Sequence, residues 1–417
     1  MKTTTLLFAA LFSGPTFAAP GSEWKERLAT EVERRAARPA NGPDDSSELL
    51  GDLVTPGPTT PIGKTIADIL VGKADGQSSE SYPLGGLMLP PLGSAPCKAD
   101  TCCVWHYIAN DMAVRFRGIS GRCNKYARGA VRLGFHDAGA WKKGLDFGGA
   151  DGSILLSDEL SRSDNNGLQE IAQVTQQWYA KYKQYGVSMA DIIQMGSTVA
   201  TVVCPLGPRV RSFVGRKDSS KPAQTGLLPD VNAPADSLIA LFEDKTIKPH
   251  GLAALVGAHT TSQQRFVDPK RALDPQDSTP GVWDVLFYGQ TLNANAPKRV
   301  FKFASDVKLS THPRIASEWK EFAGQGGQDH WNDDYAKEYV RLSLLGVNNI
   351  NNLTECTKAL PGRLPSFSPP DKAIVDMWAN GQFPQLGPLL ADAQTVTQDV
   401  LNAMGIKPRL MRFLNRN

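Results

Sequence analysis

Two apolar helical segments each contain a histidine whose surroundings suggest chemistry. The first segment, AVRLGFHDAGAW at residues 130–141, places Arg132 and His136 four residues apart. On a helix these two side chains share one face, one turn apart. A base beside a fixed cation in a dry pocket can take a proton from a bound molecule while the cation stabilises negative charge on the neighbouring atom. This pair suits cleavage of a bond between two oxygens, although a lone histidine in an apolar helix is more often a satisfied core residue.

The second segment, LAALVGAHTTSQQ at residues 252–264, ends its apolar run in His259. The small residues before His259 allow a flat molecule to approach the helix closely. The segment lacks the HxxxH or HExxH spacing that would provide a second zinc ligand. A haem iron, in contrast, needs only one axial histidine from the protein. We interpret His259 as a candidate haem ligand, and the alternative is an ordinary histidine at a helix end.

Each histidine is accompanied by oxygen-bearing residues of the type that binds a hard cation such as calcium. The set near His136 is Asp137, the Gly149 carbonyl, Asp151 and Ser153. The set near His259 is Thr260, Asp277, Thr279, the Val282 carbonyl and Asp284. Either set alone could be an ordinary Asp- and Ser-containing turn. Two such sets beside two such histidines favour two calcium sites.

Composition limits the classes of protein to consider. The 417 residues are 41% hydrophobic, which is enough for a large core, and 45 basic residues nearly balance 42 acidic ones. The absence of a long block of like charge argues against a nucleic-acid partner. The six cysteines are an even set, which favours three disulfides in an exported chain. Fifteen pairings are open; Cys102 and Cys103 are adjacent and should not pair with each other. The rival, a metal–thiolate site, would need CxxC spacings that are missing.

The order of segments predicts one main domain with extensions. Residues 1–18 have the pattern of a secretory signal peptide, and no later apolar run reaches the roughly 20 residues of a membrane span. Residues 19–95 turn Pro-, Gly- and Ser-rich, which predicts a poorly packed extension. Residues 96–356 contain mostly helical periodicity and should form the compact domain, an all-α fold with little strand. Residues 357–417 form a tail that either wraps the domain or hangs free. We expect a secreted, extracellular monomer.

From about Cys97 to Cys356 the order and spacing of these motifs resemble the secreted fungal class II haem peroxidases, the lignin and manganese peroxidases of the plant-type superfamily. The resemblance implies a mostly helical fold with one haem b between a distal and a proximal half, and two calcium ions. The resemblance further implies that the reactants are hydrogen peroxide and small phenolic or aromatic electron donors. It also implies disulfides between Cys97 and Cys103, Cys102 and Cys356, and Cys123 and Cys204.

The resemblance assigns a role to each residue of the distal and proximal halves. Arg132, Phe135 and His136 become the distal pocket, and Phe135 stands where intracellular class I enzymes usually have tryptophan. Asn165 would accept the Nδ1 proton of the distal histidine, and the carboxylate of Glu159 would orient Asn165. On the proximal side, His259 corresponds to the iron ligand and Asp306 to the carboxylate that holds its other ring nitrogen. Asp137, Gly149, Asp151 and Ser153 fall on the distal calcium site. Thr260, Asp277, Thr279, Val282 and Asp284 fall on the proximal one.

Departures from the family concern the electron donor. Manganese-oxidising members have two glutamates and an aspartate where this chain has Lys125, Gly129 and Arg265, so a manganese site of that type cannot form. Ligninolytic members have a surface tryptophan where this chain has Ala254. Trp141 is a candidate replacement, and the alternative is that it packs in the core. Gln276 stands where relatives often have phenylalanine against the proximal ligand.

The leading hypothesis is therefore a secreted haem peroxidase that oxidises phenolic or aromatic donors in one-electron steps. One alternative is a ligninolytic peroxidase with a relocated surface tryptophan radical. The other is a non-enzymatic secreted protein that binds haem or calcium. The sequon NLT at Asn352 predicts glycosylation.

Overall fold

The computed structural model describes residues 44–406, so the signal peptide predicted at residues 1–18 lies outside the described residues. Helices dominate this part of the chain, and the two strands, β1 (Phe213–Val214) and β2 (Thr354–Glu355), are short and pair antiparallel. The predicted all-α fold class is confirmed. The α-helices are α1 (Pro61–Leu70), α2 (Ala95–Ala99), α3 (Thr101–Phe116), α4 (Lys125–Ala138), α5 (Ser153–Leu156), α6 (Gln169–Tyr182), α7 (Met189–Val203), α8 (Ala235–Glu243), α9 (Pro249–Val256), α10 (Leu286–Leu292), α11 (Ala304–Ser310), α12 (Ala316–Ala323), α13 (Gly327–Leu342), α14 (Lys372–Ala379), α15 (Gly387–Ala391) and α16 (Gln398–Ala403).

Helix α4, which carries Arg132 and His136, packs closely against α7. The side chain of Asn124 caps α4 by accepting a hydrogen bond from the Tyr126 amide at 3.0 Å. Every residue of α7 is buried. The helices approach closely where α4 has Gly134, since a Cβ there would lie 2.7 Å from the Ser197 Cβ. Close packing against a fully buried helix fixes the position of α4.

The three disulfides join Cys97 to Cys103, Cys102 to Cys356, and Cys123 to Cys204. The pairing implied by the family resemblance is confirmed. The second bridge spans 254 residues of sequence and ties the start of α3 to the end of the main domain. The third bridge holds the residue before the α4 cap to the residue after α7. It therefore clamps the α4–α7 pair from one end.

The expected boundary of the compact domain at residue 96 is wrong for the described part of the N-terminal extension. Leu50, Leu53 and Ile66 are buried in the main hydrophobic core. The carboxylate of Asp52 accepts a hydrogen bond from the Ile350 amide at 2.7 Å, so the segment is also anchored by polar contacts. Pro- and Gly-rich composition suggested poor packing, but a few well-spaced apolar side chains are enough to bury the segment. Residues 19–43 lie outside the described residues.

The tail from residue 357 wraps the domain as far as it is described, and it has a small core of its own. Trp378 is fully buried at the centre of this core. The carboxylate of Asp371 forms a buried ion pair with Arg122 and also accepts a hydrogen bond from the Val396 amide at 2.8 Å. Ser120 donates to the carbonyl of Ala393 at 2.8 Å. These contacts fasten the tail beside the start of α4.

Within residues 44–406, none of the helices has the length and apolar character that a membrane span requires.

Candidate active site

A cavity of about 500 Å³ brings the two candidate histidines together. This volume falls within the roughly 300–1,000 Å³ range of small-molecule and cofactor sites. The cavity is open at one side, and its walls combine apolar side chains with a few polar groups. Among its lining residues are Arg132, Phe135, His136, His259, Gln276, Phe303, Asp306, Tyr335 and Tyr339.

His136 is buried and held by Asn165. Nδ1 of His136 lies 2.8 Å from Oδ1 of Asn165. The amide nitrogen of Asn165 donates to the main-chain carbonyl of Glu159 at 2.8 Å. Because that carbonyl can only accept, the Asn165 oxygen must face His136 and Nδ1 must carry the proton. Nε2 of His136 is then an acceptor directed at the cavity.

The electrostatic environment keeps His136 neutral. Burial and the charge of Arg132 lower the pKa of His136 from its ordinary 6.5 to about 3, while the hydrogen bond with Asn165 opposes this shift. Arg132 is fixed by two main-chain carbonyls, those of Asn166 at 2.7 Å and Asp164 at 3.1 Å. Burial lowers the pKa of Arg132 to about 10, so the guanidinium remains charged at neutral pH. The pair therefore consists of a neutral base and an immobilised cation.

The Glu159 carboxylate does not orient Asn165 in the way that the family resemblance implies. The main-chain carbonyl of the same residue holds Asn165 instead. The carboxylate accepts a hydrogen bond from the Ala223 amide at 2.8 Å and forms an ion pair with Arg162 at 3.3 Å. Glu159 thus braces the loop that carries Asn165. A family motif identifies the residue, but it cannot distinguish the main-chain oxygen from the side-chain oxygen.

His259 lies in a 3₁₀ turn, Gly257–Thr261, which continues directly from α9. Its Nδ1 lies 3.0 Å from the Oδ2 of Asp306, a buried residue in the first turn of α11. The rings of Phe287 and Phe303 pack edge-on against the imidazole, with centroids 5.8 Å and 5.3 Å away. The carboxylate and the two rings fix the imidazole plane and leave Nε2 free.

The residues predicted for the distal calcium site lie together at the end of α4. The Asp137 carboxylate accepts from the Gly152 amide at 3.1 Å, and the Asp151 carboxylate accepts from the Ser153 amide at 3.0 Å. Burial and the charge of Asp151 raise the pKa of Asp137 well above its ordinary value. Burial also raises the pKa of Asp151. A buried carboxylate and a half-buried one that repel each other are a place where a cation is stabilising.

The residues predicted for the proximal calcium site also converge. The Thr260 hydroxyl donates to the Asp277 carboxylate and lies 3.4 Å from the Val282 carbonyl. The Thr279 hydroxyl lies 3.0 Å from Asp277. Burial and the charge of Asp284 raise the pKa of Asp277 well above its ordinary value, and burial raises that of Asp284 to about 6. This donor set again consists only of oxygens, the ligands that calcium prefers.

Some cavity residues were not anticipated from the sequence. Arg128 lines the cavity with a buried Nη1 that has no hydrogen-bond partner, and it precedes Arg132 by four residues, a spacing that could have revealed it. Gln276, noted only as a departure, has a buried Nε2 without a partner, while its oxygen accepts from Ser262. Tyr339 lines the cavity from α13. Its position depends on long-range packing and left no local signal.

Three residues that bear on the class of electron donor are ion-paired or buried in the structure. Lys125 forms ion pairs with Glu170 at 2.8 Å and Asp392 at 3.4 Å. Ala254 is fully buried. Trp141 is also buried, with only 9% of its surface exposed, and its indole nitrogen donates to the Leu145 carbonyl. Trp141 therefore packs, and its candidacy as a surface relay is not supported.

Comparison with known proteins identifies the family of the chain. The family model described as Peroxidase matches residues 112–325, and the chain belongs to the peroxidase family. It is 30% identical over 333 residues to Ligninase LG2 of Phanerodontia chrysosporium, covering 72% of this chain and 88% of that protein. It is 27% identical over 309 residues to Peroxidase of Arthromyces ramosus, covering 69% and 83%. It is 30% identical over 287 residues to Ligninase C of Trametes versicolor, covering 62% and 75%.

The resemblance to fungal class II enzymes is thereby confirmed, and the chain is a haem peroxidase, an oxidoreductase. The non-enzymatic alternative is not supported. The cavity residues fit haem, because His259 presents a free Nε2 and the walls are largely apolar. The unpartnered nitrogens of Arg128 and Gln276 are donors suited to the acidic edge of such a cofactor.

Proposed function

We propose that this protein is a secreted peroxidase that reduces hydrogen peroxide and oxidises small phenolic or aromatic donors in one-electron steps, without a manganese site of the known type. The observation that supports this most directly is the shared cavity. It contains a neutral base beside a fixed cation, and it also contains a histidine backed by a buried carboxylate. The signal-like residues 1–18 support secretion.

Bound haem supplies the iron at which peroxide is reduced. The distal residues manage protons and charge in that reaction. Nε2 of His136 accepts a proton from one oxygen of peroxide, because its low pKa keeps the imidazole unprotonated at neutral pH. The same nitrogen returns the proton to the departing oxygen. Arg132 stabilises the negative charge that develops as the oxygen–oxygen bond breaks, since its guanidinium is already held by two carbonyls.

The proximal residues would hold the cofactor. His259 would offer Nε2 to the iron, and Asp306 accepts the proton on Nδ1, which fixes the tautomer and the orientation of the imidazole. We assign one calcium ion to Asp137, Gly149, Asp151 and Ser153. We assign a second to Thr260, Asp277, Thr279, Val282 and Asp284. In each site a cation would relieve the repulsion between a buried carboxylate and its half-buried neighbour.

The charges and packing at the mouth support organic donors over manganese. Lys125 and Arg265 carry positive charge where a manganese site requires carboxylates. At Gly129, a Cβ would come within 3.0 Å of Ile171, so a longer side chain there would need the neighbouring residue to move. The seven tryptophans within residues 44–406 are all buried, which gives no support to a relocated surface relay. Donors would therefore react at the open side of the cavity.

The experiment that tests this function is the visible absorption spectrum of the purified, haem-containing protein before and after one equivalent of hydrogen peroxide. We expect a Soret band that shifts with peroxide and recovers when a phenol is added. His136→Ala should keep the band and lose most of the peroxide response, and His259→Ala should lose or loosen the haem. His312→Ala is the matched control, because the His312 side chain does not line the cavity. A stable band that ignores peroxide in the wild type would overturn the proposal.

Manganese provides a separate test of the donor assignment. Because Lys125 and Arg265 repel a cation, adding Mn²⁺ with peroxide should not produce a donor activity that saturates with manganese. Oxidation of a simple phenol in the same preparation is the positive control. A saturable manganese-dependent activity would refute the assignment of organic donors as the sole class.

A further inference from the structure

A second group of potential metal ligands lies away from the cavity, between α12 and α13. Glu318 and Glu321 are three residues apart on α12, and His330 and Asp334 are four residues apart on α13, so each pair shares a helix face. Asp334 directly precedes Tyr335 of the cavity wall, but none of these four side chains lines the cavity, and none belongs to either calcium set.

Two carboxylates approach the same nitrogen of His330, while Oε2 of Glu321 lies 3.9 Å from Nδ1, the other ring nitrogen. Nε2 of His330 lies 3.3 Å from Oε1 of Glu318 and 3.2 Å from Oδ2 of Asp334. Ligand atoms of Glu318, Glu321 and His330 all lie within 4.8 Å of one another. Two ligands of a tetrahedral zinc ion at its usual bond lengths lie about 3.3 Å apart. A charge-assisted hydrogen bond between nitrogen and carboxylate would be about 2.7–2.9 Å. The observed separations match the edges of such a metal site and are longer than a short charge-assisted hydrogen bond.

The cluster is also built into the fold. Glu318 is buried, with its side chain only 9% exposed, and the ring of Phe322 packs against His330 with centroids 5.0 Å apart. The charges that act on Glu318 come from His250, Asp334 and Glu321. Three carboxylates facing one histidine leave negative charge at a partly buried position, and a divalent cation would compensate it.

We propose that Glu318, His330 and Asp334 bind one divalent transition-metal ion of the zinc type, with Glu321 at the exposed side. The imidazole distinguishes this site from the two calcium sites, whose donors are all oxygens, because a borderline metal accepts nitrogen and calcium prefers oxygen. The ion would join α12 to α13, the helix that carries Tyr335 and Tyr339 to the cavity wall. It is a structural site, independent of the proposed donor chemistry.

The test is a zinc titration of the full-length holoenzyme by isothermal calorimetry, with calcium in excess to keep the calcium sites filled. We expect one saturable zinc ion per chain. His330→Ala removes the only nitrogen ligand and should weaken binding by at least about 100-fold, the upper range for loss of a residue that merely supports a ligand. Asp334→Asn should weaken it by at least about tenfold. Zinc should raise the thermal unfolding midpoint of the wild type more than that of either variant.

His312→Ala is the matched control, because His312 also pairs with one carboxylate, Asp236 at 3.0 Å, outside the cluster. It should bind zinc as the wild type does. Circular dichroism establishes whether each variant is folded. If His330→Ala is not folded, zinc binding by Asp334→Asn decides the test. The proposal is overturned if the wild type shows no saturable zinc binding, or if folded His330→Ala and Asp334→Asn bind zinc as tightly as the wild type. Binding that is lost in His312→Ala would place the site elsewhere and equally overturn it.

Discussion

Replacing Asn165 by leucine should slow the reaction with hydrogen peroxide without displacing the haem. Asn165 is buried, and its amide links the ring of His136 to the main-chain carbonyl of Glu159 through two hydrogen bonds of 2.8 Å. Leucine has a similar volume but accepts no hydrogen bond. The Nδ1 proton of His136 would then have lost its buried acceptor, and the imidazole could take the other tautomer or rotate. In either case Nε2 would no longer be held as the base.

The magnitude follows from the cost of an unsatisfied buried donor, which is about 1–3 kcal/mol. Since about 1.4 kcal/mol corresponds to a factor of ten, the rate constant should fall roughly 5- to 150-fold if the whole of this cost raises the activation free energy of the reaction with peroxide. His136→Ala should cost more, about 10²- to 10⁴-fold, because it removes the base itself. The expected order is therefore wild type, Asn165→Leu, then His136→Ala.

Stopped-flow absorbance at the Soret band under excess peroxide measures this rate constant directly. Asn351→Leu is the matched control, since Asn351 is buried and accepts from the Thr59 amide at 2.8 Å but lies in a different part of the fold. It should lower stability and leave the rate constant unchanged. If Asn165→Leu retains haem and reacts as fast as the wild type, the argument that Asn165 fixes the tautomer of His136 is refuted.

Three further outcomes follow from the charges in the structure. The rate constant for the reaction with peroxide should stay level from pH 7 to about 4 and fall near pH 3, where His136 gains its proton. In the unfolded chain the same histidine takes up its proton near pH 6.5, so the stability of the folded protein should decline as the pH falls from 6.5 towards 3. A stopped-flow inflection above pH 5 would contradict this. Calcium chelation should lower the thermal unfolding midpoint, and restoring calcium at about 100 times its Kd should return about 2.7 kcal/mol of stability per site. Asp151→Ala and Asp277→Ala should each reduce this stabilisation by calcium. A wild-type protein whose midpoint does not change with chelator would count against both sites. Asp371→Asn should cost about 3–5 kcal/mol in denaturant unfolding, because it leaves the buried guanidinium of Arg122 without its counter-charge; a loss below 1 kcal/mol would show that the tail contributes little.

The features that could be predicted from the sequence are those encoded by local periodicity or by a motif of fixed spacing. The helical class follows from apolar repeats, and α4 carries Arg132 and His136 as their spacing predicted. The disulfide pairing was accessible only through the family resemblance, because spacing alone left fifteen possibilities. The contact between His259 and Asp306, 47 residues apart, was likewise inferable only by analogy. The roles of these residues stay predictions until they are measured.

The features that escaped prediction depend on long-range packing. Residues 44–95 resemble a loose extension in composition, yet Leu50 and Ile66 are buried against segments that lie far along the chain. Trp141 resembles an exposed aromatic just after a helix, but the following loop folds back and gives its indole a partner. For Glu159 the choice between main-chain and side-chain oxygen depends on the backbone geometry of residues 159–165, which no residue type encodes.

The calcium assignments and the proposed chemistry are coupled through the chain itself. Asp137 directly follows His136, and Thr260 directly follows His259, so in each half one residue of the cation set is bonded to the residue that acts at the cavity. When the cation is absent, the buried carboxylate and its half-buried neighbour repel each other, and the least costly relief is movement of the backbone that carries them. Such movement would shift the neighbouring imidazole, and a shift of about 1 Å in a catalytic group can slow a reaction roughly 100-fold. Calcium loss should therefore slow the peroxide reaction at temperatures where the protein is still folded, and unfolding and inactivation curves that coincide throughout would contradict this coupling.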